Sequence, residues 1–528
     1  MIAKICCCLL ALLVYVQYLL YLMHMFQLNT YKNNEQSAWN KKNSAILGRH
    51  IVYLAVTLAG YVFTRPAVGQ APQGLAFAAI CLLLILQLWF WQPKQKAKKP
   101  LVYTARVIRM LVTHGILLLV GVPALVWVLP AYDVFTALIF YTMLLPWLIL
   151  LVNRLNAPIQ KAINRKFIKE AENKIKAMPE LTVIGITGSY GKTSTKHYLN
   201  RILCEKYNVL MTPGSFNTPM GVVRTVRESM QPYHDIFIAE MGAKNIGDIK
   251  EICDIVNPSI GIVTAVGPQH LESFKSIENV QRTKFELVDA LPADGLAVVN
   301  DDFEFVANRK VDNVDVIRYA VHNTNNASCR AVDIEYSSHG TSFTAVMPDG
   351  SSIKLQTKLV GECNISNLLA AVSVAAHLGV PAEKIRYAVS KIEQVEHRLN
   401  MKRTPGGVTI IDDAFNSNPD GARMALDVIA QMKQGKRIVI TPGMIELGPR
   451  QAELNEIFGQ QLANACDVAI VVGEYNREAI LAGINKADCV GLKLIVADSF
   501  ADAQAKLASI VAPGDTVLYE NDLPDTFK

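Results

Sequence analysis

The pattern of apolar and polar positions changes character twice along the chain. Ile5–Phe26 is almost uninterrupted apolar sequence, and further apolar runs lie at Ile51–Phe63, Leu75–Trp91, Val107–Leu129 and Val134–Val152. A helix of about 20 apolar residues crosses roughly 30 Å of hydrocarbon, so the front of the chain predicts five membrane spans, the second being the shortest. The first run is too long for a signal-peptide core, and no small-residue cleavage site follows it. Trp89, Trp91, Trp127 and Trp147 sit at or near run ends, where interfacial aromatics gather. From Pro179 to about Gln394 short apolar runs alternate with helical periodicity, the signature of a parallel α/β sheet. A further series of short runs, Val408–Ile411, Arg437–Ile440, Val468–Val472, Leu494–Val496 and Thr516–Tyr519, predicts a second, Rossmann-like α/β domain. The expected organisation is a helical transmembrane domain over 1–153, a basic linker over 154–178, a central α/β domain over 179–395 and a C-terminal α/β domain over 396–528.

Charge sharpens this division. The net charge of +6 over 528 residues hides 17 Lys+Arg against 3 Asp+Glu in residues 1–170, and 35 against 43 in the rest. Between the apolar runs the positive charge alternates. The first connection holds Lys32, Lys41, Lys42 and Arg49, and the second only Arg65. The third holds Lys94, Lys96, Lys98, Lys99 and Arg106, with Arg109 just inside the next run, and the fourth holds none. Arg154, Lys161, Arg165 and Lys166 follow the last run. The positive-inside rule then predicts a multi-pass protein of the plasma (inner) membrane, with its N-terminus outside and everything after residue 153 in the cytoplasm. Arg154–Met178 is expected to be either a basic amphipathic helix near the headgroups or a plain solvated connector. The ten cysteines include no CxxC pair, so neither a zinc site nor a disulfide framework is indicated. Cys6-Cys7-Cys8 lies inside an apolar run, where packing is favoured over S-acylation.

One stretch carries the chemistry. Gly185-Ile186-Thr187-Gly188-Ser189-Tyr190-Gly191-Lys192-Thr193-Ser194-Thr195 follows the strand-like Leu181–Ile184 and precedes the helical Lys196–Leu203. Strand, glycine turn and helix N-terminus bring backbone N–H groups onto a phosphate. Lys192 is expected to reach the β/γ-phosphates from an exposed loop, and the Thr193 hydroxyl to reach Mg²⁺. The strict phosphate-loop pattern has glycine where Ile186 stands, so this is the shorter T-G-x-x-G-K-T form. Ile236–Gly242 reads as a strand ending in Glu240, a carboxylate placed for Mg²⁺ beside that loop. A further strand from Ile260 ends in a turn with His270, which alone would more often be structural than a ligand.

In order along the chain stand T-G-S-Y-G-K-T-S-T, A-E-M-G, G-P-Q-H-L, R-T-K-F-E and V-V-N-D-D. G-E-C-N-I-S-N-L-L-A-A (361–371), H-R-L-N (397–400), I-D-D-A-F-N-S-N-P (411–419) and G-M-I-E-L-G (443–448) follow. The ordered set resembles the Mur ligase family, the ATP-dependent amide-forming enzymes of peptidoglycan precursor assembly, and most resembles its D-alanyl-D-alanine-adding branch. The resemblance is close over about 180–450. It implies that Gly188, Ser189, Gly191, Lys192, Thr193 and Ser194 cradle ATP. It implies Glu240 as a metal ligand, His270 as ligand of a second Mg²⁺, and Lys284 as a lysine that is carbamylated into a metal ligand. Asn300 falls near the family's adenine contacts, Arg398 resembles the arginine reaching the phosphates, and Asp413 the residue on the ribose, with Asn416 and Asn418 in the associated loop. Phe415 stands where a tyrosine is common. Leu518-Tyr519-Glu520-Asn521-Asp522 replaces the usual K-G-S stretch, which leaves the amine substrate open.

These features imply a membrane-bound ligase that activates a carboxylate as an acyl phosphate and passes it to an amine, an amino acid or a dipeptide. Lys192, Lys284, His270 and Arg398 are the expected catalytic groups. The partner is a cell-wall precursor, either soluble or lipid-linked; the family's UDP-binding domain has no counterpart here, and the membrane domain holds its place. No nucleic-acid partner is expected. A P-loop transporter is the competing class, but there is no L-S-G-G-Q-like signature, and the apolar runs hold few ionisable residues beyond Arg109, His24 and His114. An idle nucleotide-binding scaffold is a third reading, opposed by the joint presence of Lys192, Glu240, His270, Lys284 and Arg398.

Overall fold

The computed structural model describes residues 2–64, 73–90, 99–128, 133–337, 340–415, 417–487, 489 and 491–523. Arg65, Trp91, Lys94, Lys96, Lys98 and Asn416 lie outside these residues. The chain divides into two compact units, Met1–Asn164 and Arg165–Leu523.

The first unit is helical: α1 (Ile2–Leu28), α2 (Asn33–Lys42), α3 (Ser44–Thr64), α4 (Gln73–Phe90), α5 (Ala105–Val128), α6 (Val134–Met143) and the beginning of α7 (Leu145–Lys176). Each expected apolar run is helical, but five straight spans are not what they form. Among the described residues three helices, Lys4–Leu28, Ser44–Phe63 and Ala105–Val128, are long and apolar enough to cross a membrane. α3 reaches that length because it starts at Ser44, ahead of the apolar run. α4 offers only the shorter stretch Phe77–Trp89, and the last run is broken between α6 and α7 by a 77° bend. Pro146 accounts for the break: it has no N–H to continue the hydrogen bonding of α6, yet it fits the first turn of α7. The interior is apolar, with Tyr18, Leu22, Phe26, Met110 and Ile149 in one cluster and Cys7, Leu54, Leu84 and Ile139 in another. Cys7 is buried with its Sγ 3.5 Å from that of Cys81.

The second unit holds two sheets. The first contains β1 (Thr182–Thr187), β2 (Val209–Met211), β3 (Ile236–Glu240), β4 (Ile260–Val263), β5 (Leu296–Asn300), β6 (Asp315–Ala320), β7 (Cys329–Ser337), β8 (Gly340–Val346) and β9 (Ser352–Thr357). Their order is β2-β3-β1-β4-β5-β6-β7-β8-β9. Pairing is parallel as far as β7, then antiparallel through β8 and β9. The expected all-parallel sheet therefore ends in an antiparallel extension. β9 alternates exposed and buried positions, which a strand with one solvated face can do and a doubly covered parallel strand cannot. The second sheet contains β10 (Asn400–Arg403), β11 (Thr409–Asp413), β12 (Arg437–Thr441), β13 (Val468–Val472), β14 (Lys493–Ala497) and β15 (Thr516–Glu520) in the order β10-β11-β15-β12-β13-β14. All five runs expected as strands are here. β10 was not expected: Asn-Met-Lys-Arg has no apolar run, and it pairs antiparallel at the edge.

The second unit begins inside the segment expected to be a linker. Ala171 and Ile175 of α7, with Phe167 and Ile168, pack against the cluster of Val183, Val226 and Phe237. Glu170 accepts from Arg227 Nε at 2.6 Å. The end of α7 is thus part of this unit's core.

Candidate active site

β1 lies between β3 and β4, so its C-terminal edge opens at the interior of the larger sheet, where α/β folds bind ligands. Ile186 belongs to β1 and is buried, which is why the glycine turn is shorter than the full phosphate-loop pattern. The turn is 188–191, and α8 (Lys192–Leu203) follows at once. Gly188 and Gly191 have φ of 150° and 80°. A Cβ on Gly188 would lie 2.1 Å from Thr264 Oγ1, and one on Gly191 would lie 2.4 Å from Asn367 Oδ1. Both positions therefore require glycine. Ser189 fixes the turn to the loop after β4: its N–H donates to Ala265 O at 2.8 Å, and its Oγ accepts from Gly267 N at 3.0 Å. Ser194 is buried within the first turn of α8.

Lys192 is not in an exposed loop. It is the first residue of α8, half-buried, with Nζ donating to Gly188 O at 2.6 Å. Burial pushes its ammonium down to about 8, Arg398 acts in the same direction, and Glu240 opposes. Thr193 Oγ1 donates to Glu240 Oε2 at 3.1 Å. Glu240, buried at the end of β3, also accepts from Lys196 Nζ at 2.9 Å and from Asn217 Nδ2 at 3.1 Å. Burial alone would raise its carboxyl, but Lys196 and Lys192 outweigh that and hold it below the ordinary range. The carboxyl is therefore ionised, the form in which it could serve as a ligand to a hard metal ion.

Lys284 is buried, and its amine has no hydrogen bond among the described residues. Burial, with Lys192 adding, pushes it down to about 7, while Asp248 and Glu286 pull the other way. A buried, unpaired lysine near neutrality is a free amine for much of the time. His270 has a left-handed backbone, with φ of 51°, and its Nδ1 bonds to Glu446 Oε2. Burial lowers its pKa, against the pull of Glu446. Lys244 Nζ reaches Glu446 Oε1 at 2.8 Å. Burial would raise Glu446, but its bonds to His270 and Lys244 bring it down to about 2. Among the described residues no three His, Cys, Asp or Glu side chains gather as a metal site. Any metal here would rest on oxygen donors such as Thr193 and Glu240, on the free ring nitrogen of His270, and on Lys284 in an altered form.

Arg398 is presented by a strained segment. His397 and Leu399 on either side have φ of 57° and 47°, a conformation costing about 1 kcal/mol or more per non-glycine residue. The carboxylates of β11 hold it: Asp412 Oδ2 lies 2.8 Å from His397 Nδ1, and Asp413 Oδ1 accepts from Leu399 N at 3.1 Å. The Arg398 guanidinium stacks 4.2 Å from the centre of the Phe415 ring and donates to Phe415 O at 2.7 Å. Phe415, the departure from tyrosine, thus supplies a ring face and a carbonyl. Burial raises Asp413 to about 6 although Arg398 opposes it.

Asn300, expected near the adenine, is held by protein partners in this structure. Its side chain is buried, and Nδ2 donates to Thr264 O at 2.9 Å and Ser366 Oγ at 3.0 Å, while Oδ1 accepts from Asp302 N at 3.1 Å. These bonds tie the loops after β4 and β5 together. Asn418 caps the helix Pro419–Ala430, accepting from Gly421 N at 3.0 Å. Lys196 and Glu446 were not singled out from the sequence, although Glu446 stands inside G-M-I-E-L-G. Glu520, in the departing C-terminal stretch, pairs in register with Asp413 and is fully buried. Its carboxyl bonds to the hydroxyls of Ser417 and Thr441, and burial, with Asp413 adding, raises it to about 8.

Residues 186–375 match the Mur ligase middle domain, and residues 397–519 the glutamate ligase domain of Mur ligases. The chain is 34% identical over 366 residues to a UDP-N-acetylmuramoyl-tripeptide–D-alanyl-D-alanine ligase of Mycobacterium bovis, covering 64% of this chain and 70% of that one. It is 31% identical over 311 residues to the Escherichia coli ligase of that name, covering 58% and 64%. The crystal structure of MurF from Acinetobacter baumannii superposes with a TM-score of 0.62 at 26% identity, covering 69% of this chain and 78% of that one. MurF of Thermotoga maritima in complex with ADP gives 0.61 at 26%, covering 68% and 80%. The chain belongs to the Mur ligase family of ATP-dependent carboxylate–amine ligases.

Proposed function

We propose that this protein is a membrane-bound ligase that joins an amino acid or dipeptide to the peptide carboxylate of a lipid-linked muramoyl precursor at the cytoplasmic face of the membrane. The observation that carries the proposal is the make-up of the chain. One chain carries both a ligase unit with an intact phosphate turn and a helical unit holding, among its described residues, three helices fit to cross a bilayer. A ligase confined within a few nanometres of the headgroups meets a membrane-anchored substrate at high effective concentration.

The chemistry follows from the side chains. A carboxylate is a poor acylating agent, so its oxygen attacks the γ-phosphorus of ATP, the bond to ADP breaks, and an acyl phosphate forms. The amine then attacks the acyl carbon, phosphate leaves with the C–O bonding pair, and a proton is lost to water. Lys192 and the N–H groups of Gly191–Ser194 hold the phosphates, and Arg398 neutralises charge developing on the transferring group. Asp413 holds Arg398 and takes the ribose. Thr193, Glu240, His270 and Lys284 would hold Mg²⁺, which when bound neutralises phosphate charge. Lys284 serves after its free amine has added CO₂ and lost a proton, becoming a carbamate. Glu446 fixes Nδ1 of His270 as the protonated nitrogen and leaves the Nε2 lone pair for a ligand.

The test compares full-length protein in detergent with the unit starting at Arg165, each given ATP, a dipeptide and either the soluble nucleotide precursor or its lipid-linked counterpart. Product mass is the readout. Full-length protein should turn over the lipid-linked form more efficiently. Equal use of the soluble form by both, with no lipid-linked product, overturns the proposal.

A further inference from the structure

Among the described residues, Arg106 and Arg109 of the first unit have no anion to answer them. Glu35 and Asp133 are the only side-chain carboxylates between residues 1 and 164. Glu35 is paired with Lys32 at 3.4 Å, and Asp133 caps α6 while accepting from Tyr61. Arg106 and Arg109 stand one turn apart at the start of α5, both half-buried. Arg106 donates to Asn153 Oδ1 at 3.1 Å and lies 4.1 Å from the centre of the Tyr31 ring, and Arg109 donates to Gln160 Oε1. Each guanidinium has five N–H donors and, among the described residues, places one on a protein oxygen. The first turn of α5 contains no acidic residue, so both cations oppose the positive end of the helix macrodipole. Like charges three residues apart on one helix face also repel.

Facing them, α7 presents a stripe of neutral amides, Asn153, Asn156, Gln160 and Asn164, at helical spacing. Asn153 Nδ2 donates to Asn33 Oδ1 at 2.8 Å, and Gln160 Nε2 to Asn164 Oδ1 at 2.7 Å, so the stripe holds itself and the arginines in place. Two guanidiniums at a helix N-terminus, held by neutral amide oxygens rather than by a carboxylate, suit an anion of high charge density. The ends of α1 and α5 and the middle of α7 meet here, the ends that the charge alternation puts on the cytoplasmic side.

We propose that Arg106 and Arg109, backed by the α7 amides, bind the diphosphate of a polyprenyl-linked donor. This rests on the lipid-linked reading of the substrate and names the residues that recognise it. Arginine suits the role because its planar fork meets phosphate oxygens in pairs. A diphosphate offers enough charge to answer both side chains.

The experiment measures binding to full-length protein in neutral-lipid nanodiscs, with no turnover needed. The probes are a polyprenyl diphosphate, inorganic pyrophosphate and phosphatidylglycerol. Wild type should prefer the polyprenyl diphosphate at least tenfold over either other probe. Arg106→Gln and Arg109→Gln should each weaken it tenfold or more, while Arg106→Lys and Arg109→Lys keep part of the affinity. Elution and thermal transition of each variant report its folding. Undiminished binding in both Gln variants overturns the site. Equal binding of pyrophosphate or of phosphatidylglycerol overturns the choice of ligand. Tight binding without lipid-linked turnover sinks the proposed substrate and leaves the site standing.

Discussion

Glu446 Oε2 meets Nδ1 of His270, a residue 176 positions earlier in the chain, and the same carboxylate reaches Lys244 at 2.8 Å. A residue in the loop after β12 of the second sheet thereby orients a histidine in the loop after β4 of the first. Carboxylates that orient ligating histidines are typically worth about 10–100-fold in metal affinity or activity. Glu446→Gln should raise the Mg²⁺ concentration for half-maximal turnover by about that factor. An unchanged Mg²⁺ dependence would remove His270 from the metal site.

Lys192→Ala removes the cation proposed to hold the phosphates, a loss on the order of 3 kcal/mol or more in transition-state stabilisation. Turnover should fall by at least about two orders of magnitude with the thermal transition kept. Normal turnover would move the ATP site elsewhere.

Lys284→Ala should abolish turnover, and short-chain carboxylates such as acetate should restore part of it by standing in for the carbamate. The burial that brings this amine down to about 7 makes it reactive toward CO₂. Turnover by wild type that is indifferent to CO₂ removal, together with no rescue of the variant, would contradict carbamylation.

Glu520 sets a pH dependence of stability. Its carboxyl is raised to about 8 in the fold, against about 4.3 in an unfolded chain. The folded state therefore holds a proton that the unfolded state has lost, and stability falls as pH rises from about 4.3 to about 8. Glu520→Gln keeps the shape and cannot ionise. Its melting temperature relative to wild type should climb across that window, and a constant difference from pH 5 to 8 would refute the protonated state.

Much of this was legible in the sequence because strand and turn signals are local. β1, the glycine turn and α8 follow from an apolar run, two obligatory glycines and a helical face, and the five strands β11–β15 from their apolar runs. What escaped depends on contacts between distant positions. The inward bonds of Asn300 need Thr264 and Ser366, and the His270–Glu446 bond joins the two sheets' loops. β10 is polar because it pairs at an edge. The bend before α7 was signalled by Pro146, but apolar composition alone suggested a straight span.

The most direct test is phosphate release by full-length protein supplied with ATP, Mg²⁺, a lipid-linked muramoyl peptide and a dipeptide, with the product weighed by mass spectrometry. The account predicts phosphate and amide product in a one-to-one ratio, with neither formed when the carboxylate or the amine is left out. Phosphate released at the same rate without an acceptor amine or a carboxylate, and no product of added mass, would contradict it.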